Sequence, residues 1–365
     1  MKIALLSAAL LAAGLVAPAI ADNSHDDSHA ALTLAVIGDW PYNDLLLNSA
    51  NLLIDSVNAD RHVRFLLHVG DIHSGSQPCT SAGILPPIAT SNPGWNQAVF
   101  QRFQQFDMPV IYTPGDNEWT DCHKSKEKSA GDPLKELASV RGLFFSRPGV
   151  SLGRDEMRVI SQARAFDPAF PTDAQFVENV MWSAAHVVFV TLNVPGSNND
   201  GVPWSGTFAN AAAQAQEAQA RNAANARWLD SAFDLAEDSH AKALVLALQA
   251  DMWDAAALAP GADGLDAYTP FVQHLATRAL AFHRPVLLLN GDSHLYESDQ
   301  PLADPTSATG RIHGTPAVTN LTRITVQGST NAPAEWLRLT IDTSHTPMFT
   351  WSNVPYCVDP GTHCQ

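Results

Sequence analysis

The chain has 365 residues, 45% of them apolar and 16% charged, the balance of a folded globular protein and not of a disordered one. Its formal net charge of −16 is relieved by no Lys/Arg cluster, which argues against nucleic acid or an anionic membrane as a partner. Four cysteines suit an oxidising compartment, and the absence of any Cys-x-x-Cys spacing disfavours a structural zinc site.

Residues 1–21 read as a signal peptide, with Lys2 as the charged start, an apolar stretch over 3–16, and Ala19-Ile20-Ala21 as the small-residue cleavage pattern. The apolar part is short for a membrane span, and no later stretch reaches roughly 18–20 apolar residues. The mature chain therefore reads as periplasmic or secreted, with no membrane span. Residues 22–30 are polar and expected to form a disordered lead-in. No Pro/Ser/Gly linker divides residues 31–365, so one domain is expected.

From residue 32 an apolar run ends in Gly38-Asp39, and residues 44–58 then carry Leu46, Leu47, Ala50, Leu53, Ile54 and Val57 at helical spacing. A second run starts at Phe65 and ends in Gly70-Asp71. Residues 77–95, with four prolines, predict a loop, and 96–106 predict a helix. A third run leads from Val110 to Gly115-Asp116, so that two β-α-β steps are expected. Gly131-Asp132 follows a polar stretch with no strand before it, and 146–175 read as a loop or excursion. Residues 181–193 read as a hairpin, with His186 as a satisfied structural histidine in an apolar strand. An Ala-rich helix is expected over 211–236, and a buried strand over 243–248 ends in Gln249-Ala250-Asp251. The fourth apolar run starts at Val286 and ends in Gly291-Asp292, and further strands are expected at 321–326, 336–341 and 348–351.

Four of the five Gly-Asp pairs thus end strand-like runs. In α/β proteins the loops after the strands' carboxyl ends build the active edge. Carboxylates gathered there repel one another unless a cation holds them, so the pattern predicts a metal site. Cys79 and Cys122 fall in loops just beyond the second and third pairs. Of the three pairings open to four cysteines, this favours Cys79–Cys122 with Cys357–Cys364. Trp40, Trp119 and Trp253 each follow a motif closely and suit either a substrate cleft or core packing. Asn320-Leu321-Thr322 fits a glycosylation acceptor.

The order of these signals resembles the calcineurin-like metallophosphoesterases, the family that includes purple acid phosphatases. The family pattern is Asp-x-His, Gly-Asp, Gly-Asn-His-Asp/Glu, a lone strand-end His, and Gly-His-x-His. Here the positions read Gly38-Asp39-Trp40-Pro41, Gly70-Asp71, Gly115-Asp116-Asn117-Glu118, Gln249, and Gly291-Asp292-Ser293-His294. The resemblance covers about residues 32–350. It implies an α/β fold of four layers, α-β-β-α, with two mixed sheets flanked by helices. It also implies a small phosphate-ester substrate, hydrolysed as a monoester or diester by a metal-activated water, with two divalent metals per site.

The metal ligands implied are Asp39, Asp71, Asp116, Gln249, Asp292 and His294, with Asp71 at the position that bridges two metals. Asp39, Asp71 and His294 match family ligands directly, whereas Asp116, Gln249 and Asp292 stand where the second metal would meet Asn and two His. Oxygen ligands suit Mg²⁺, Mn²⁺ or Ca²⁺ at that second site, or leave only the site nearer His294 occupied. Zn, Fe or Mn suit the first. Asp251 is an alternative ligand to Gln249. Asn117 takes the place of the family's catalytic histidine and has no proton to give, so His123 and His73 are candidate replacement acids, each set against a plain surface-loop histidine. A second reading is a catalytically weak protein of this fold that serves as a metal- or ligand-binding recognition module.

Overall fold

The computed structural model describes residues 31–77, 79, 94–124, 131–359 and 361. The signal peptide and lead-in (1–30), most of the loop 77–95, and Cys364 of the second expected disulfide lie outside the described residues.

The chain opens with β1 (Leu32–Ile37), α1 (Asp44–Asn48), α2 (Ala50–Ala59), β2 (Val63–His68), α3 (Trp95–Phe103) and β3 (Pro109–Tyr112). The helix expected over 44–58 is broken at Ser49, which caps both pieces. Then come α4 (Pro133–Phe144), β4 (Leu152–Gly153), β5 (Ile160–Ser161), β6 (Val180–Ala184) and β7 (Val187–Thr191). A five-residue turn, α5 (Gly196–Asp200), precedes α6 (Ala211–Asp238), β8 (Ala243–Ala247), α7 (Thr269–Phe282) and β9 (Val286–Asn290). Strands β10 (Glu297–Asp299), β11 (Leu321–Thr325), β12 (Glu335–Ile341) and β13 (Phe349–Pro355) complete it.

Two mixed sheets result, as an α/β chain requires. One has the order β13-β12-β1-β2-β3-β4 and the other β10-β11-β9-β8-β7-β6-β5. Strands β1, β2 and β3 run parallel, and so do β7, β8, β9 and β11. The central strands are buried on both faces, and their alternation sorts side chains between cores. Leu34 and Val36 of β1 meet Phe189, Val245 and Leu289 between the sheets. Ala35 and Ile37 point the other way, against Leu53 and Val57 of α2 and Val99 and Phe103 of α3. Leu244 and Leu246 of β8 pack on Trp228, Leu229 and Phe233 of α6 and on Val272 and Leu275 of α7.

Several local expectations change. Gly131-Asp132 is a helix start, since the Asp132 side chain accepts from Leu134 N and Lys135 N at the head of α4. His186 is not inside a strand. It is exposed in the β6–β7 turn with φ +60°, beside Ala185 at +48°. Asn320 is half-buried, and its amide donates to Ala279 O and Arg284 O, both at 2.8 Å. Trp40, Trp119 and Trp253 are all buried, so the core-packing alternative holds for them. A disulfide joins Cys79 to Cys122 across a Cα–Cα distance of 5.9 Å, tying the second Gly-Asp loop to the third. No helix among the described residues is long and apolar enough to cross a membrane.

Candidate metal centre

Every expected ligand leaves a parallel strand at its carboxyl end: Asp39 after β1, Asp71 after β2, Asp116 after β3, Gln249 after β8, and Asp292 and His294 after β9. Backbone bonds hold the loops in step, with Asp39 N donating to Gly70 O (3.0 Å) and Gly291 N to Gln249 O (3.0 Å). Asp292 N reaches across the sheets to Asp39 Oδ1 at 3.3 Å. Asp39, Asp71, Asp292 and His294 all have φ between +51° and +77°, the left-handed region. Such strain persists only where surrounding structure over-determines it, and it concentrates at functional sites.

The glycines of the Gly-Asp pairs have a use beyond turning. A Cβ on Gly115 would collide with Asp71 Oδ1, and one on Gly291 would lie 2.7 Å from Asp39 Oδ2. Each glycine therefore opens the space in which a neighbouring strand's carboxylate sits.

Asp39, Asp71 and His294 converge, each offering a ligand atom within 4.8 Å of the others. Tyr42, three residues after Asp39, places its hydroxyl among them: 2.9 Å from Asp39 Oδ1, 2.7 Å from Asp71 Oδ2 and 3.1 Å from His294 Nε2. Glu118 is buried beneath, its Oε1 accepting from Ile72 N (3.1 Å), Gly115 N (3.1 Å) and Tyr112 Oη (2.7 Å). That carboxylate locks the second and third Gly-Asp loops together. Above the cluster opens a cleft of about 510 Å³, lined by Tyr42, Asp116, Asn117, Lys124, Ser197 and His294 among others.

Burial pushes the Asp39 carboxyl up to about 6, against the pull of His294 and Tyr42. Asp71 and Asp292 are pushed well above the usual carboxylate range, first by burial and then by the charge of Asp116. A carboxylate cluster out of water keeps protons or takes a cation; both answer the same charge deficit.

The residues fit a cation at the first position. Two carboxylates, an imidazole and a phenol converge there, and Asp39 Oδ2 is buried with no hydrogen-bond partner among the described residues. At the second position they do not fit one. Gln249 turns its amide nitrogen to Asp71 Oδ2 (3.3 Å) and Asp116 Oδ1 (3.2 Å), while its oxygen accepts from Gly196 N. Asp292 Oδ2 accepts from Asp251 N at 2.9 Å, and Asp116 Oδ2 from Ser197 Oγ at 2.9 Å. The alternative ligand Asp251 is held by Arg323 at 2.6 Å, both side chains buried.

Asn117 donates to Asp71 through its backbone (3.2 Å) and its side chain (3.0 Å). His123 is buried with Nδ1 accepting from Ser205 N at 3.0 Å, and His73 places Nδ1 3.0 Å from Ser74 O. Neither is among the described residues lining the cleft. Tyr42, Ser197 and Lys124 escaped the sequence reading. Only the first carried a signal, its position three residues after Asp39 within the motif.

No family model matches the sequence, and no curated protein is similar to it. Among solved structures the chain is similar to GAP50, the anchor in the inner membrane complex of Plasmodium. The identity is 9% and the TM-score 0.42, over 90% of each chain. At that score the likeness carries no argument about fold or chemistry.

Proposed function

We propose that this protein is an exported, metal-dependent phosphoesterase of the calcineurin-like type, acting on a small phosphate ester. The observation that carries the reading is the convergence of Asp39, Asp71 and His294 beside an open cleft that Asp71 and His294 line. The order of the motifs supports the family. So does the arrangement of two sheets with one core between them and a helix-covered core on each outer face, which accords with a four-layer sandwich. A divalent cation held by those three residues supplies Lewis acidity toward a phosphoryl ester. The chain's own groups then have clear tasks. Tyr42 and Asn117 orient Asp71 through the hydrogen bonds described, and Lys124 offers positive charge at the rim of an acidic cleft.

A second reading, a recognition module of the same fold with little activity, is favoured by one observation. Asn117, at the position of the family's acid, is committed to Asp71 and gives no proton. Assays with p-nitrophenyl phosphate and bis-p-nitrophenyl phosphate across Mg²⁺, Mn²⁺, Ca²⁺ and Zn²⁺ separate the two. Activity that depends on the metal and falls at least about 100-fold in Asp71→Asn is expected, beyond the usual effect of losing a residue that only supports a ligand. Turnover absent with every metal, or unaltered in that variant, would sink the enzymatic reading.

A further inference from the structure

The second position of the centre is filled by the protein itself. Gly196 stands between the carboxylates of Asp116 and Asp292 so closely that a Cβ there would be 2.7 Å from an oxygen of each. The orientation of Gln249 follows from chemistry. Gly196 N–H only donates, so the amide atom facing it is the oxygen and the one facing Asp71 and Asp116 is the NH₂. An NH₂ group has no lone pair for a metal. Lys124 Nζ lies 2.5 Å from Asp121 Oδ2 and 2.9 Å from Ser197 Oγ, and Ser197 Oγ in turn reaches Asp116 Oδ2 (2.9 Å) and Asp121 Oδ1 (2.7 Å). The Lys124 ammonium thus pairs with Asp121 and holds the Ser197 hydroxyl, which has one proton to give to Asp116 or Asp121.

Neighbouring elements hold this arrangement through hydrogen bonds. Ser197, Asn198, Asn199 and Asp200 all have φ between +51° and +63°, a left-handed course that Asn and Asp tolerate better than other residues. Asn198 is clasped by Asp266 (2.8 Å) and Ala267 N (2.9 Å). Asn199 accepts from Arg221 Nη1 at 2.5 Å and donates to Asn222 at 2.9 Å. Arg221 is buried and lies over the Trp119 ring at 5.4 Å.

We infer that the centre holds one divalent cation, at Asp39, Asp71 and His294, and that the Gly196–Ser197 turn, the Gln249 amide and the Lys124 ammonium replace the second. The inference rests on the metal-centre reading proposed above and deepens it. It also gives two carboxylates roles other than ligation: Asp116 anchors the turn through the Ser197 hydroxyl, and Asp292 accepts from Asp251 N beside it.

The test is the stoichiometry and spin coupling of bound Mn²⁺. The purified chain is stripped with chelator, dialysed to equilibrium against Mn²⁺, and assayed by elemental analysis and electron paramagnetic resonance. One equivalent per chain is expected, with the six-line spectrum of an isolated ion, retained in Asp116→Asn and lost in Asp71→Asn. An exchange-coupled spectrum, or a second equivalent that Asp116→Asn removes, overturns the single-cation inference and leaves the metal centre standing. Loss of the sole equivalent in Asp116→Asn also overturns it. No bound Mn²⁺ at all overturns both readings. The wild-type spectrum decides the matter alone where a variant does not fold.

Discussion

At the scale of single residues, Tyr42 concentrates the chemistry of the centre. Its hydroxyl has one proton, yet it stands 2.9 Å and 2.7 Å from oxygens of two buried aspartates. It donates to only one of them at a time. Burial and the charges of Asp39 and Asp71 push the phenol well above its usual range, so it remains a donor in the metal-free chain. Tyr42→Phe strips that donor from the buried carboxylates. The expected cost to the metal-free chain is about 1–3 kcal/mol, the usual effect of leaving a buried polar group unsatisfied. A saturating divalent cation supplies the missing counter-charge and should shrink the difference. Urea denaturation of both proteins with chelator and with Mn²⁺ checks this; an equal gap under both conditions would show that the hydroxyl acts apart from the cation.

At the scale of elements, the Gly-Asp strand ends work as interlocking pairs, in which the glycine of one makes room for the aspartate of another. Gly115→Ala should therefore damage the site more than the strand. Its Cβ meets Asp71 Oδ1, and relief demands a shift of the β2 or β3 loop. Overpacking of this kind costs about 1–3 kcal/mol, and the variant should keep its far-ultraviolet circular dichroism while losing Mn²⁺ affinity. Unchanged affinity would refute the cradle argument. The same interlocking explains what could be read in advance. β1, β2, β3 and β9 were legible because each couples an apolar run to a Gly-Asp end, and α6 because its apolar face recurs at helical spacing. α4 was not, since its N-cap, Asp132, follows Gly131 and so imitates the strand-end signal with no strand before it. Of the site, Asp39, Asp71 and His294 were legible as motif positions. The side-chain direction of Gln249 was not, because it depends on Gly196, 53 residues away in the chain. Nor was the left-handed turn, whose conformation is held by Arg221, Asn222 and Asp266 from other elements.

At the scale of the whole molecule, a buried histidine in the outer core of the first sheet links acid pH to folding. His68, at the end of β2, is fully buried among Trp40, Phe103 and Tyr112, with ring centroids 6.5, 5.2 and 5.7 Å away. Its Nε2–H donates to Trp40 O at 2.7 Å. Burial lowers its pKa from 6.5 to about 4. The folded state therefore favours the neutral ring, and the unfolded chain binds more protons between those two values. Stability from this group is complete above pH 6.5, falls as the pH drops toward 4, and levels off below it. The gap of about 2.5 pH units corresponds to about 3 kcal/mol at 1.36 kcal/mol per unit. His68→Leu removes the proton linkage while adding a pH-independent packing and hydrogen-bond cost. The stability difference between wild type and variant should therefore be constant above pH 6.5 and shift toward the variant by about 3 kcal/mol as the pH falls to 4. Chemical denaturation in chelator at half-unit pH steps measures it. A difference that stays flat over that window would mean that His68 carries a proton in the folded core.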